Sequence, residues 1–367
     1  MRHWTGSLLA ALLVALPLMA ADKDKDDKGN DRATQFKELK GSFEKARREA
    51  IQAYQAAKTD KEKEAAFEKY QNPGDQVPKV LKLVEAKPTD DLSLDMLQWV
   101  FQASQGQNAK AYDLLAEHHA KSEKMKNICL MLSQTHPDAA KKFLQKVLDE
   151  NPDKDIKGYA CYDLAELAAD KADKGGTADK DASKSASAEA EKYYERIAKD
   201  FGEVKLGRQN LGDLAKGGLF AVRNLTVGKK APNVESENLD GKKVQLKDYK
   251  GKVVVLDIWA TWCGPCRAMI PHEREMVKKL KDKPFTLISI SADEEKKTLT
   301  DFLKSTEMPW DHWWNGQTGG IVKDWNVKFF PTIYVLDSEG VIRYKHIRGK
   351  ELEDAVEKLL AEAKEKK

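Results

Sequence analysis

Two cysteines separated by two residues, in Cys263-Gly264-Pro265-Cys266, carry the most specific chemistry in this chain. They follow a nearly continuous apolar and β-branched run, Val253 to Trp259, and they open a helical pattern that reaches Lys281. In the first turn of a helix the backbone N–H groups lack intrahelical partners and the dipole end is positive, so a thiolate is stabilised there. Such a seat lowers a thiol pKa to roughly 3.5–7.5. Cys263 is therefore the predicted nucleophile, and Cys266 is spaced to attack the sulfur of Cys263 and resolve a mixed disulfide. A zinc site would want a second ligand pair. The sequence has no second Cys-x-x-Cys, and the adjacent His118 and His119 point their rings apart on a helix. The expectation is thiol–disulfide exchange with no metal and no cofactor.

The residues around the cysteines carry a family likeness. Trp259-Ala260-Thr261-Trp262-Cys263-Gly264-Pro265-Cys266-Arg267-Ala268-Met269-Ile270-Pro271, with Phe330-Pro331-Thr332 downstream, resembles a thioredoxin, and the hairpin before it is similar to the TlpA/ResA branch of exported thiol-disulfide oxidoreductases. The resemblance spans roughly Val227 to Leu360. It implies that Pro331 is a cis proline facing the cysteines, where Phe330, Pro331 and Thr332, together with Trp262, Gly264 and Pro265, meet an incoming peptide. It also implies that Pro271 kinks the active-site helix. Asp257, six residues before Cys263, falls where thioredoxins carry a buried acid behind the second cysteine, a departure from many TlpA/ResA-like chains, which have a neutral residue there. Burial raises a carboxyl pKa, so Asp257 could accept the proton of Cys266. The lysine that partners this acid in thioredoxins falls at about Ser289, which cannot take its part. Gly264-Pro265 resembles the reducing thioredoxins, so the implied partners are protein thiols or disulfides and an external electron donor at the membrane.

Those cysteines need a scaffold. Val234 to Leu239 and Lys243 to Leu246 flank Asp240-Gly241, a strong hairpin signal. Val253 to Trp259, Phe285 to Ser291, Thr332 to Leu336 and Val341 to Ile347 read as further strands. Helical patterns at Cys263 to Lys281, Lys297 to Ser305, Gly320 to Asn326 and Lys350 to Lys364 alternate with them. Residues 227–367 are thus expected to form an α/β thioredoxin-like domain. Trp310, Trp313, Trp314 and Trp325 read either as a rim that grips polypeptide or as cover for the sheet. His272 and His312 read as surface or packing residues, with a place near the thiols as the alternative.

The preceding residues differ in kind. Residues 1–21, with Arg2, His3, the apolar run Leu8 to Leu16 and the small residues after Pro17, read as a signal peptide cleaved after Ala20 or Ala21. Nine continuous apolar residues fall short of the roughly twenty that span a bilayer. Residues 22–33 carry charge without apolar bulk and are expected to be a disordered tail. From 34 to 226 apolar residues recur at three and four, as in Phe36, Leu39, Phe43 and Ala46, so an all-α domain is predicted. Ala140, Phe143, Leu144 and Val147 recur fifty residues on as Ala190, Tyr193, Tyr194 and Ile197. Residues 170–189, without an apolar side chain larger than alanine, read as a low-complexity solvated insertion. Removing it leaves a unit that resembles the tetratricopeptide class of helical hairpins, with an irregular bundle as the alternative. Cys129 and Cys161, in apolar helical surroundings, read as small core residues, with a structural disulfide as the alternative in an oxidising compartment.

Composition narrows the function. Lys and Arg number 63 against 60 Asp and Glu, a net charge of +3 that supplies no field for nucleic acid. Charged residues at 34% exclude a membrane bundle, and four cysteines in 367 residues are too few for a disulfide scaffold. The reading is a multidomain, exported thiol-disulfide oxidoreductase that reduces protein disulfides, with the helical domain docking a client or partner. The alternatives are a binding or scaffold protein whose thiols maintain or sense cysteines of copper or cytochrome sites and, third, a thiol peroxidase.

Overall fold

The computed structural model describes residues 27–71, 74–132, 138–175, 180–317 and 319–365. The expected signal at 1–21 lies outside the described residues. Those residues form two compact units, one ending at Leu164 and the other beginning at Ala165.

The first unit is helical throughout: α1 (Asp27–Ala56), α2 (Asp60–Gln71), α3 (Gln76–Ala86), α4 (Asp91–Ala103), α5 (Ala109–His118), α6 (Met125–Leu132), α7 (Lys141–Glu150) and the start of α8 (Lys154–Gly175). Side-chain caps set the starts of several of these helices. Asp90 accepts the Ser93 N–H at 2.8 Å before α4, and Asn108 accepts the Ala111 N–H at 3.0 Å before α5. Trp99 anchors the core with edge-on contacts to Phe36 and Phe43. Cys129 and Cys161 are buried and are not joined in a disulfide; burial and the charge of Asp163 push the Cys129 thiol well up, so it stays protonated.

Two expectations are corrected here. The tail expected at 22–33 is helical from Asp27. Charge anchors it where apolar bulk is missing: Arg32 donates to Asp90 at 2.6 Å, to Ser93 Oγ at 2.7 Å and to the Leu83 carbonyl at 2.9 Å. The insertion expected at 170–189 lies mostly in helix, since α8 runs to Gly175 and α9 (Lys180–Asp200) follows. Alanine is the best helix former, and its small side chain lets helices approach closely, so Ala172, Ala186 and Ala190 are buried and Ser183 donates to the Ala172 carbonyl at 2.7 Å.

The second unit continues with α9, a two-stranded ribbon of β1 (Lys205–Leu206) and β2 (Gln209–Asn210), and α10 (Leu211–Asn224). Gly218 of α10 is needed where it stands, since a Cβ there would lie 2.3 Å from the Tyr194 ring of α9. The sheet strands follow: β3 (Glu235–Asn238), β4 (Lys243–Gln245), β5 (Val253–Trp259), β6 (Phe285–Ser291), β7 (Asp311–Trp314), β8 (Thr332–Leu336) and β9 (Ile342–Lys345). The helices between and after them are α11 (Gly264–Leu280), α12 (Lys296–Ser305), α13 (Gly320–Asp324) and α14 (Gly349–Glu365). The seven strands lie in the order β4-β3-β7-β6-β5-β8-β9, with β5, β6 and β7 parallel and β8 antiparallel to β5.

Strand β5 is central and buried on both faces, as its unbroken apolar run requires. On one face Val253, Val255 and Ile333 pack under Met276 and Leu280 of α11 and Leu352, Val356 and Leu359 of α14. On the other, Val254, Leu256, Ile258, Trp313 and Tyr334 pack with Leu225, Phe220 and Trp325. Residues before 227 thus belong to the core of this unit. Two ion pairs add to the attachment, Lys345 to Asp173 at 2.7 Å and Lys328 to Glu166 at 2.6 Å. Leu225 is fully buried, so Leu225→Ala is expected to lower the stability of the second unit by about 3 kcal/mol. Urea unfolding would measure this; a change within error would mean that the α10 packing contributes nothing.

Candidate active site

Strand β5 ends at Trp259 and the chain turns into α11 through Ala260, Thr261, Trp262 and Cys263. Long-range bonds pin this turn. Ala292 N–H donates to the Trp259 carbonyl at 2.8 Å, and Asp293 accepts from the Thr261 N–H at 3.1 Å and from Thr261 Oγ1 at 2.7 Å. Ser291 Oγ in turn donates to Asp293 at 2.7 Å. Asp293 was not singled out from sequence, because nothing in Ser291-Ala292-Asp293 signals which loop it will meet. Asp293→Ala strands the Thr261 donors in a buried site, so a loss of about 3 kcal/mol is expected, with a smaller loss for Asp293→Asn, which keeps an acceptor oxygen. Denaturant unfolding of both variants checks the order.

Cys263 is the N-cap of α11, and Pro265 occupies its first turn, where a missing N–H costs nothing. The Cys266 N–H donates to Cys263 Sγ at 3.2 Å. The two sulfurs are joined as a disulfide, the oxidised form of the dithiol. Pro271 stands inside α11. The Phe330–Pro331 peptide is cis, and Phe330 packs beside the cysteines with its ring 5.7 Å from that of Trp262. Thr332 Oγ1 donates to the Phe329 carbonyl at 2.7 Å, and Arg348 donates to the Pro331 carbonyl at 3.3 Å. Trp262 and Phe329 are 60% and 50% exposed. The fold therefore brings Trp262, Gly264 and Pro265 to the same end of the sheet as Phe330, Pro331 and Thr332. Phe329 and Arg348 were missed from sequence, since an exposed phenylalanine and a lone arginine carry no spacing signal.

Asp257 lies on β5 below the cysteines and is buried. In the sheet register it is flanked by Ile333 of β8 and Ser289 of β6, and His312 of β7 follows Ser289 in the same row. Burial pushes the Asp257 carboxyl up to about 7, opposed by the Ser289 hydroxyl, which donates at 3.3 Å, and by the positive charge of Arg348. Ser289, the position of the missing lysine, thus supplies a hydrogen bond, and Arg348 supplies the charge from a different element. Trp310 Nε1 donates to Ser289 Oγ at 2.8 Å.

The other singled-out aromatics divide between faces. Trp313 and Trp325 are core on the face away from α11. Trp310 and Trp314 pack beside the cysteine cluster, and Trp314 Nε1 donates to the Asp293 carbonyl at 2.9 Å. Of the two readings, cover for the sheet is the one these positions match; among the described residues the exposed aromatics are Trp262 and Phe329. His312 is buried with Nε2 2.9 Å from the Met308 carbonyl, and burial lowers its pKa. His272 lies 3.6 Å from Glu353 on the outer side of α11. Among the described residues no cluster of three or more His, Cys, Asp or Glu is set to hold a metal, and no helix is long and apolar enough to cross a membrane.

A parallel sheet centre flanked by helices, with a Cys-x-x-Cys pair at a helix N-cap beside a cis proline, defines the class: a thioredoxin-fold thiol–disulfide domain. The sequence profile of the AhpC/TSA family matches residues 227–345. The thiol-disulfide oxidoreductase ResA of Bacillus thuringiensis subsp. konkukian (strain 97-27) is 34% identical over 136 residues, 37% of this chain and 78% of that protein. The thioredoxin-like protein YneN of Bacillus subtilis (strain 168) is 35% identical over 123 residues, 33% of this chain and 71% of that one. Among solved structures, the thioredoxin domain of a thiol-disulfide oxidoreductase from Bacteroides vulgatus is 31% identical, covering 37% of this chain and 99% of that one with a TM-score of 0.35. Through its C-terminal part the chain belongs to the ResA family of thiol-disulfide oxidoreductases, and it is an oxidoreductase.

Proposed function

We propose that this chain is an exported reductase of protein disulfides, with Cys263 as nucleophile and Cys266 as resolving thiol. The observation that carries the reading is the seat of Cys263 at the α11 N-cap, with its sulfur accepting the Cys266 N–H. Backbone donors and the helix dipole favour a thiolate there. In the reduced form, the Cys263 thiolate attacks one sulfur of a client disulfide. The client S–S bond breaks, a Cys263–client bond forms, and the second client sulfur leaves as a thiolate that takes a proton from water. Cys266 then gives its proton to Asp257 and attacks Cys263 Sγ, expelling the first client sulfur. The client departs as a dithiol and the Cys263–Cys266 disulfide remains. An external dithiol reductant returns two electrons and two protons.

The exposed rings of Trp262 and Phe329, with Phe330 beside them, offer an apolar grip for an extended client segment next to Pro331 and Thr332. The helical unit before Leu164 docks the client or a partner and raises its effective concentration at Cys263. Export rests on the signal pattern at 1–21.

The test is a trap. Cys266→Ser cannot resolve, so clients accumulate as disulfides with Cys263 and are identified by mass spectrometry. The same trap in a chain lacking residues 34–164 should lose particular adducts while insulin reduction by the corresponding active chain persists. An unchanged set of adducts would remove the docking role, and failure of the parent chain to reduce insulin with any dithiol would remove the reductase reading.

A further inference from the structure

Glu273 is the one acidic residue among the buried side chains of α11, which are Cys266, Ile270, Glu273, Met276 and Leu280. Its neighbours on that stripe give its height. Ile270 packs with Trp259 and the cysteines, while Met276 and Leu280 pack with Val253 and Val255. Alternate residues of a strand share a face, so Asp257 stands between Val255 and Trp259 on β5 as Glu273 stands between Met276 and Ile270 on α11. Two carboxyls therefore meet at one level of the helix–sheet interface. Glu273 is 1% exposed and Asp257 3%. Each has one carboxyl oxygen, Glu273 Oε1 and Asp257 Oδ1, that is buried without a hydrogen-bond partner.

The surroundings supply little to hold two negative charges. Arg348 is the cation that acts on Asp257, and Ser289 from β6 gives it one hydrogen bond. His312 of β7, next in the register row, is kept neutral by burial. From β8 and α14 the packed groups are Ile333, Leu352 and Val356, all apolar. Also at this end stand Asp293, buried and held by the Thr261 and Ser291 donors, the His272–Glu353 pair on the far side of α11, and the thiols of Cys263 and Cys266 once the disulfide is reduced. Burial and the Asp257 charge push the Glu273 carboxyl well up. Like charges this close in a desolvated site do not both ionise near neutrality, and such a pair titrates as a unit.

Seven residues of helix, about 10 Å of rise, separate Glu273 from Cys266, so Glu273 acts through Asp257. We propose that Glu273 is a positioning residue that shares one proton with Asp257, so that the pair, rather than either carboxyl alone, receives the proton that Cys266 gives up during resolution. The Cys266 S–H bond breaks and the proton binds the singly charged pair, which becomes neutral. The Cys266 sulfur bonds to Cys263 Sγ as the Cys263–client bond breaks and the client leaves as a thiolate. The inference rests on the dithiol reading above.

Two measurements test it, one of them free of turnover. The infrared C=O band of protonated carboxyls, followed against pH in the oxidised full chain, should show two linked steps in the parent. A single step should remain in Glu273→Gln and in Asp257→Asn, and neither step in the double variant. In single-turnover resolution of a Cys263 mixed disulfide, the acid edge of the pH profile should move up by about one unit in Glu273→Gln, which is roughly tenfold slower resolution on the acid side. Asp257→Asn should lose the edge, since Glu273 reaches Cys266 only through Asp257, and the double variant should show none either. Glu273→Leu, apolar at an apolar site, should give the same shift as the glutamine variant and replaces it if that one does not fold. A Glu273→Gln titration and profile that superimpose on the parent, or an Asp257→Asn profile that keeps the parent's edge, would overturn the pair while leaving the reductase reading in place. A chain that shows the linked infrared steps but reduces no disulfide would overturn that reading, and the role of the pair with it.

Discussion

Dithiol-driven reduction of insulin is expected to fall to the uncatalysed background in Cys263→Ser, whereas Cys266→Ser should react once and stall as a mixed disulfide. The asymmetry follows from position. Both cysteines are buried, but Cys263 sits ahead of the first turn of α11 and its sulfur receives a backbone N–H, while Cys266 lies within that turn and donates it. Negative charge on Cys263 is thereby stabilised, and a serine hydroxyl at the same place stays protonated near neutrality and cannot open a disulfide. Without Cys266 the first exchange still proceeds, but no internal thiol releases the client. Mass spectrometry counts the adducts, and alkylation of the reduced parent should modify Cys263 first. Equal alkylation rates near pH 7, or an active Cys263→Ser, would reverse the assignment.

The second large effect is on stability. The Asp257 carboxyl titrates at about 7 in the folded chain and near 3.9 when unfolded. The folded state holds the proton more tightly, so its advantage is complete below about pH 4 and is lost as pH rises toward 7. Three pKa units correspond to an upper bound of about 4 kcal/mol at pH 8. Asp257→Asn is therefore expected to stabilise the second unit, with no gain near pH 4 and most of it by pH 8. The asparagine amide keeps an acceptor for the Ser289 hydroxyl, so little is forfeited in exchange. Urea unfolding followed by tryptophan fluorescence reports on this unit, which holds Trp259, Trp262, Trp310, Trp313, Trp314 and Trp325. A variant less stable than the parent at pH 8 would mean that the carboxylate is better solvated than its burial implies.

Sequence reading and structure part company in a consistent way. Strand β7 went unrecognised because Asp-His-Trp-Trp is four residues long and shows no alternation; its pairing with Ile288 to Ser291 on one side and with Glu237 and Asn238 on the other makes it a strand. Glu273 was legible in principle, as the acidic residue on an otherwise apolar stripe at spacing three and four, and it was passed over. The charged start of α1 carries little apolar bulk and is ordered all the same, because Arg32 finds its partners fifty and more residues away.

By itself the sequence determined the elements whose cause is local. The run Val253 to Trp259, the Cys-x-x-Cys at a helix start, the Asp240-Gly241 turn and the helical periodicities depend on neighbours a few residues apart, and side-chain spacing encodes these directly. Tertiary structure decided what depends on distant residues meeting. It set Asp293 under Thr261 and Arg348 against the Pro331 carbonyl, it placed α10 in the sheet core ahead of residue 227, and it brought Glu273 to the level of Asp257. Each of those contacts depends on how α11, α10 and the loops dock on the sheet, and docking is set by the summed fit of many apolar side chains rather than by any short motif.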